Sequence, residues 1–148
     1  MNTIELHTLM LSDRAIHRVY GGVRPSNGLP LLKCKRPKMY ICNTEPHNQP
    51  GQHWIAIYLP EERRPPEFFD PLGKAPQETF ANFLIYNGPK YIFNTKVVQS
   101  SSSVYCGLYC LLFAFYRTRG YSIKKILSMF KDVDGNDIIV EKFFEENF

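Results

Sequence analysis

Long hydrophobic runs are missing from this sequence. The longest, Val104 to Tyr116, falls short of the roughly 20 residues that a bilayer-spanning helix needs, and the residues after Met1 carry none of the patterning of a secretory leader. No membrane association is expected, and the chain is expected inside the cell. Cysteine is also scarce. Four in 148 residues are too few for a secreted disulfide scaffold and fit reduced thiols in a reducing compartment. Repeats and low-complexity tracts are absent beyond Ser100 to Ser103. Charge of one sign is in small excess, 18 basic against 14 acidic side chains for a net +4. The basic clusters at Lys33, Lys35, Arg36, Lys38 and at Arg63, Arg64 read as solvated surface before they read as a phosphate track, so nucleic acid is not indicated.

What is present is core material. At 44% hydrophobic and 14% aromatic, residues 1–148 make one domain acting as a monomer. The prolines and glycines fall mostly between residues 20 and 90, so the first half is turn-rich and the last third helical. Residues 3–18 predict one or two short helices with Ser12-Asp13 capping between them. Gly21 to Pro30 predicts a loop, Met39 to Cys42 a strand, and Asn43 to Gly51 a turn. His53 to Leu59 predicts a strand, joined by a Pro60–Pro66 hairpin loop to a second strand at Glu67–Asp70. Pro76 to Tyr86 has helical spacing, while Tyr91–Asn94 and Val97-Val98 supply a further strand. Val104 to Arg119 is apolar nearly all round, the pattern of a helix buried in the centre of a domain. Two more helices, Ile123–Phe130 and Asp137–Phe144, follow with Ser122 and Asn136 as caps. The fold class is α+β: a small, mostly antiparallel sheet packed around a buried central helix, with flanking helices.

Chemistry concentrates at two places. Cys106 stands where a serine-rich loop turns into the buried helix, and a helix N-terminus favours a thiolate. His53 opens a strand whose hairpin partner ends at Asp70; antiparallel pairing puts both at the same end, where the carboxylate can orient an imidazole base. The chain order His53, Asp70, Cys106 excludes simple papain topology, in which the cysteine comes first.

Gly51-Gln52-His53-Trp54, Phe68-Phe69-Asp70-Pro71-Leu72-Gly73, and Gln99-Ser100 ahead of Cys106-Gly107-Leu108-Tyr109-Cys110 together resemble the three catalytic blocks of the adenain-like cysteine proteases, the adenovirus endopeptidases and their SUMO-protease relatives, a papain-like clan of permuted topology. The resemblance covers nearly the whole chain. It is closest to the adenain-like proteases of Polinton (Maverick) elements and adintoviruses, which share text like Gly21 to Asn27, Ile41-Cys42-Asn43-Thr44 and Asn136-Asp137. It implies Cys106 as nucleophile, His53 as base and later acid, Asp70 as third member, and Gln99 with the Cys106 backbone N–H as oxyanion donors. It implies Trp54 over a narrow substrate groove with Gly107 leaving room for substrate backbone, and glycine-containing cleavage sites. It implies capsid or core precursors as polypeptide substrate, and a host nucleus, cytoplasm or virion as location. Adenain is activated by a peptide disulfide-linked to an upstream cysteine, but no cysteine lies between Cys42 and Cys106; an activating peptide or DNA is not carried over, and no cofactor is expected.

Taken singly, each residue has a blander meaning. A cysteine at a helix start is usually a small buried hydrophobe, a lone Trp usually core, and Cys110, one turn beyond Cys106, packs rather than forming a redox pair. Cys34, Cys42, His47 and His53 do not have zinc spacing. What distinguishes the catalytic reading is that four different mechanistic parts occur in one order. Two other readings stay open: a deconjugating protease for SUMO- or ubiquitin-like modifiers, and an inactive protease-like binding module.

Overall fold

A computed structural model describes residues 1–46 and 53–148. His47, the Gly51-Gln52 part of the first motif and the expected turn from residue 47 onward lie outside the described residues.

Helix α1, Thr3–Ser12, begins at a capping box: the Asn2 side chain accepts the Glu5 N–H while the Glu5 carboxylate accepts the Asn2 N–H. Asp13 ends it and restarts the chain as α2, Arg14–His17, by accepting the Ile16 N–H at 3.0 Å. The break expected at Ser12-Asp13 is this cap.

Among the described residues, five strands form one sheet in chain order: β1 Tyr20–Arg24, β2 Lys38–Asn43, β3 Trp54–Leu59, β4 Glu67–Phe69 and β5 Ile92–Phe93. The central pairings β2–β3 and β3–β4 are antiparallel, and each edge strand is added in parallel. Strand β1 takes the first four residues of the loop expected at Gly21–Pro30, and the remainder of that segment is loop. Its Tyr-Gly-Gly-Val-Arg text reads as a turn because Tyr40 packs flat on its backbone: a Cβ at Gly21 would lie 2.5 Å from the Tyr40 ring, and Gly22 sits at φ +133° where the register slips. Val97-Val98 is not strand either. After β5, Asn94 folds the chain back by donating to the carbonyls of Asp70 and Lys96.

Every β3 side chain is buried, as in a strand covered on both faces. Odd positions Ile55 and Ile57 join Phe68 under Phe80, Phe83 and Leu84 of helix α3, Glu78–Asn87. Even positions Trp54, Ala56 and Tyr58 join Phe69 under helix α4, Cys106–Arg117. Helix α4 is buried without a gap from Gly107 to Ala114. Around it pack α1, α2, α5 (Ile123–Leu127, capped by Ser122) and α6 (Asn136–Asn147). The expected α+β architecture with a buried central helix is the observed one. Asn136, however, is not a cap: Gly135 holds that position, and the Asn136 side chain instead accepts the Lys131 N–H and donates to the Val98 carbonyl.

The far end of α4 is fixed by a forked pair of hydrogen bonds, Arg117 Nε and Nη2 to the two carboxylate oxygens of Glu67 at 2.8 and 2.9 Å, with the Tyr58 ring against the guanidinium. One end of the helix is therefore tied to the start of β4, and its other end carries Cys106 toward the finish of that strand.

Candidate active site

Three segments meet where β3 begins and β4 ends. The register sets Ala56 against Phe69; one step further, Asp70 lies across from Ile55. Opposed residues share a face, and alternate residues of a strand share it too, so Asp70 and His53 fall on the same side of the sheet. Their separation is 2.7 Å, His53 Nε2 to Asp70 Oδ1. The expected meeting of His53 and Asp70 across the hairpin is what the structure contains.

Asp70 is 4% exposed and held from three directions. Its Oδ1 also accepts the Leu72 N–H at 2.8 Å, and its backbone is clasped by the Asn94 amide, which accepts the Asp70 N–H at 3.0 Å and donates to the Asp70 carbonyl at 2.7 Å. Asn94 was not legible as part of the site: a single amide at the end of a short apolar run is an ordinary strand terminator. The Asp70-Pro-Leu-Gly73 text is a turn closed by Gly73 N–H donating to the Asp70 carbonyl, and Gly73 takes φ +69°, where a Cβ would lie 2.8 Å from the Thr95 carbonyl.

The next residue, Pro71, ties in the third segment. Its carbonyl accepts the N–H groups of both Val98 and Gln99, at 2.9 and 3.0 Å. Gln99 is buried, its Nε2 donates to the Ser103 carbonyl at 3.1 Å, and its Oε1 has no hydrogen-bond partner among the described residues. An amide nitrogen carries two hydrogens, so one remains after the Ser103 bond. Ser100 to Ser103 form a tight turn closed by Ser103 N–H donating to the Ser100 carbonyl. No side chain caps α4 at Tyr105, so the Cys106 N–H at the head of the helix retains donor capacity.

Cys106 is the first residue of α4 and partly buried. Burial pushes its thiol up, but hydrogen bonds from the His53 ring and from the Trp54 and Gly107 backbone N–H groups outweigh this and hold it below the ordinary value. His53 is the complement: burial pulls its pKa down, yet the Asp70 carboxylate and the Cys106 sulfur raise it to about 9. With Nε2 taken by Asp70, Nδ1 is the nitrogen left for the sulfur. Each group therefore favours the charged form of the other, a thiolate beside an imidazolium.

Trp54 and Gly107, the residues expected at a substrate groove, are both buried. Trp54 is 8% exposed and donates its indole N–H to the Met1 carbonyl at 3.1 Å. A Cβ at Gly107 would lie 3.3 Å from Met1 Cβ and 3.5 Å from Trp54 Cδ1, so a side chain there would pack directly against Met1 and Trp54. Two cavities flank this rim, one of about 160 Å³ beside His53 and Asp70, the other of about 200 Å³ beside Trp54, Thr3 and Asn43. Of the other cysteines, Cys110 and Cys42 are fully buried, and burial drives both thiols well above their ordinary value, while Cys34 lies 3.3 Å from the Tyr40 hydroxyl. Lys33 and Arg36 of one basic cluster and Arg63 and Arg64 of the other line a cavity of about 520 Å³ at the β3–β4 hairpin, the opposite end of these strands from His53.

No family model matches the chain. Among curated proteins it is 31% identical to a protease of Bovine adenovirus 7 over 79% of this chain and 70% of that protein. It is 31% identical to a protease of Snake adenovirus serotype 1 over 68% of this chain and 57% of that protein. Two crystal structures of an ASFV protease share the fold: one at a TM-score of 0.63 with 15% identity, covering 95% of this chain and 64% of that one, the other at 0.58 with 22% identity, covering 77% and 46%. The chain thus spans between about half and two thirds of the length of most of the proteins it matches.

Proposed function

Given that this chain belongs to the adenovirus protease family, we propose that it is a cysteine endopeptidase that cleaves peptide bonds through an acyl-enzyme. The observation that carries this is the His53 ring held between the Cys106 sulfur and a buried Asp70 carboxylate. In the proposed cycle the Cys106 thiolate attacks the scissile carbonyl. Imidazolium His53 gives its proton to the leaving amine, then takes one from the water that hydrolyses the thioester and returns sulfur to the thiolate. Asp70 keeps the imidazole oriented and its charge compensated throughout. Negative charge on the tetrahedral oxygen is met by the spare Gln99 amide hydrogen and the Cys106 N–H, a contribution of about 3 kcal/mol per pre-aimed donor. Substrates are polypeptide precursors of a viral or transposon capsid or core, cut at small-residue, glycine-containing sites, in a compartment reducing enough to keep Cys106 free.

The test pairs labelling with cleavage. Iodoacetamide at neutral pH should modify Cys106 far faster than Cys34, Cys42 or Cys110, and His53→Ala should remove the excess. The wild-type protein, but not Cys106→Ala, should cut capsid-type proteins encoded beside it. Equal labelling of the four thiols would sink the mechanism, and cleavage confined to ubiquitin- or SUMO-type conjugates would move the substrate assignment to those modifiers.

A further inference from the structure

The start of helix α6 reaches the loop that carries Gln99, and it does so with side chains unused by the chemistry above. Asn136 is 1% exposed. Rather than capping its own helix, it donates to the Val98 carbonyl at 2.9 Å, fixing the backbone one residue before Gln99. Asp137 Oδ1 accepts two hydroxyls, Ser103 Oγ at 2.8 Å and Tyr109 OH at 2.8 Å. Tyr109 belongs to α4 and is fully buried, one turn from Cys106. Ser103 belongs to the loop, its Oγ accepts the Tyr105 N–H at 3.2 Å, and its carbonyl accepts the Gln99 side-chain amide. One carboxylate oxygen therefore joins the nucleophile's helix to the residue that holds the Gln99 amide.

We propose that Asn136 and Asp137 are positioning residues that set the Gln99 amide at a fixed distance from the Cys106 end of α4, so that an oxyanion donor on a loop is as well placed as one on a rigid element. The proposal rests on the protease reading and on Gln99 as a donor. Its physical content is that the loop from Gln99 to Tyr105 is exposed at Ser101, Ser102 and Val104 and has no regular structure of its own to locate Gln99. The loop is located instead at its start by Pro71 and Asn136 and at its end by Asp137. Pre-organisation of this kind raises turnover without strengthening substrate binding, since the oxyanion exists only after attack.

Kinetics on a short peptide substrate test it. Asp137→Ala and Ser103→Ala should each lower kcat roughly tenfold to a hundredfold, the scale of a displaced catalytic contact, with KM nearly unchanged. The pH dependence of Cys106 labelling should stay as in the wild type, because His53 and Asp70 are not touched. Asp137→Asn, which keeps an accepting oxygen, should recover most of the loss. In a Gln99→Ala background, Asp137→Ala should cost almost nothing further, because the group it positions is gone. Ser103→Ala cuts only the loop side of the clamp, so it reads the effect even if Asp137→Ala fails to fold. Additive losses with Gln99→Ala, a loss carried in KM, or a changed labelling profile would each overturn the proposal. So would an unaltered kcat in Gln99→Ala, while an inactive Cys106→Ala in the same experiment would leave the protease reading standing.

Discussion

At the scale of single residues, His53 is the group on which the pH behaviour turns. Burial favours its neutral form, and Asp70 and Cys106 together overcome that, holding the ring protonated up to about pH 9. The sign follows from the active form. The thiolate–imidazolium pair is lost on the acid side when Cys106 takes up a proton, below the thiol's ordinary value, and on the alkaline side when His53 loses one, near pH 9. Asp70→Asn keeps the shape of the site but removes the charge and the strong acceptor, leaving only the Cys106 sulfur to oppose burial. The alkaline limb of kcat/KM should then move down by roughly one to three pH units, as expected when a close opposite charge is withdrawn. A profile measured between pH 5 and 10 on wild type and Asp70→Asn checks this, and an unmoved alkaline limb would mean that Asp70 does not set the His53 charge. The candidate residues His53, Asp70, Cys106 and Gln99 are legible in the sequence because each is a distinct chemical part at an element boundary. Asn94, Ser103 and Asp137 are not, since amides, hydroxyls and carboxylates that act on a neighbour's backbone or hydroxyl look like any polar surface residue until the chain is folded.

At the scale of elements, helix α4 decides where the sulfur sits, and its position is set at the end remote from the chemistry. The Glu67 and Arg117 side chains are only 6% and 12% exposed, so each relies on the other for charge compensation. Glu67→Gln leaves a guanidinium buried against Tyr58 without its counter-charge, at a cost of about 3 to 5 kcal/mol. Replacing both, Glu67→Gln with Arg117→Met, removes the stranded charge and should recover much of that loss. Urea unfolding of the wild type, the single variant and the double variant measures it; a single-variant cost below about 1 kcal/mol would show that the fork does not anchor the helix. Elements were readable to different degrees for a related reason. The β3–β4 hairpin and α4 announce themselves by long buried runs. Strand β1 does not, because Gly21 makes room for the Tyr40 ring and Gly22 takes a positive φ at a register slip rather than at a turn, and the segment at Val97-Val98 departs from a strand because buried Val98 donates to the Pro71 carbonyl while Val97 is exposed.

At the scale of the whole molecule, one sheet serves two cores. Helix α3 covers the face of Ile55, Ile57 and Phe68, helix α4 with its neighbours covers the face of Trp54, Ala56 and Phe69, and β3 contributes to both with alternate residues. A layer cannot be lost from one face without exposing strands that the other face needs, so the layers should unfold together. Phe80 offers a clean test because it is fully buried under α3, with its ring 5.8 Å from that of Phe68, and it lies in the core opposite Trp54. Phe80→Ala should cost about 3 to 5 kcal/mol through lost burial and the cavity left behind. For a chain of this size each kcal/mol lowers Tm by roughly 2 to 4 °C. Trp54 is the sole tryptophan and reports the α4 side, whereas far-ultraviolet circular dichroism reports all elements. In a single cooperative unit, both signals should shift by the same amount in Phe80→Ala and their transitions should coincide. If the Trp54 fluorescence transition stayed at the wild-type temperature while the circular dichroism fell, the α3 layer would be unfolding by itself, and the active-site rim would be supported by the α4 face alone.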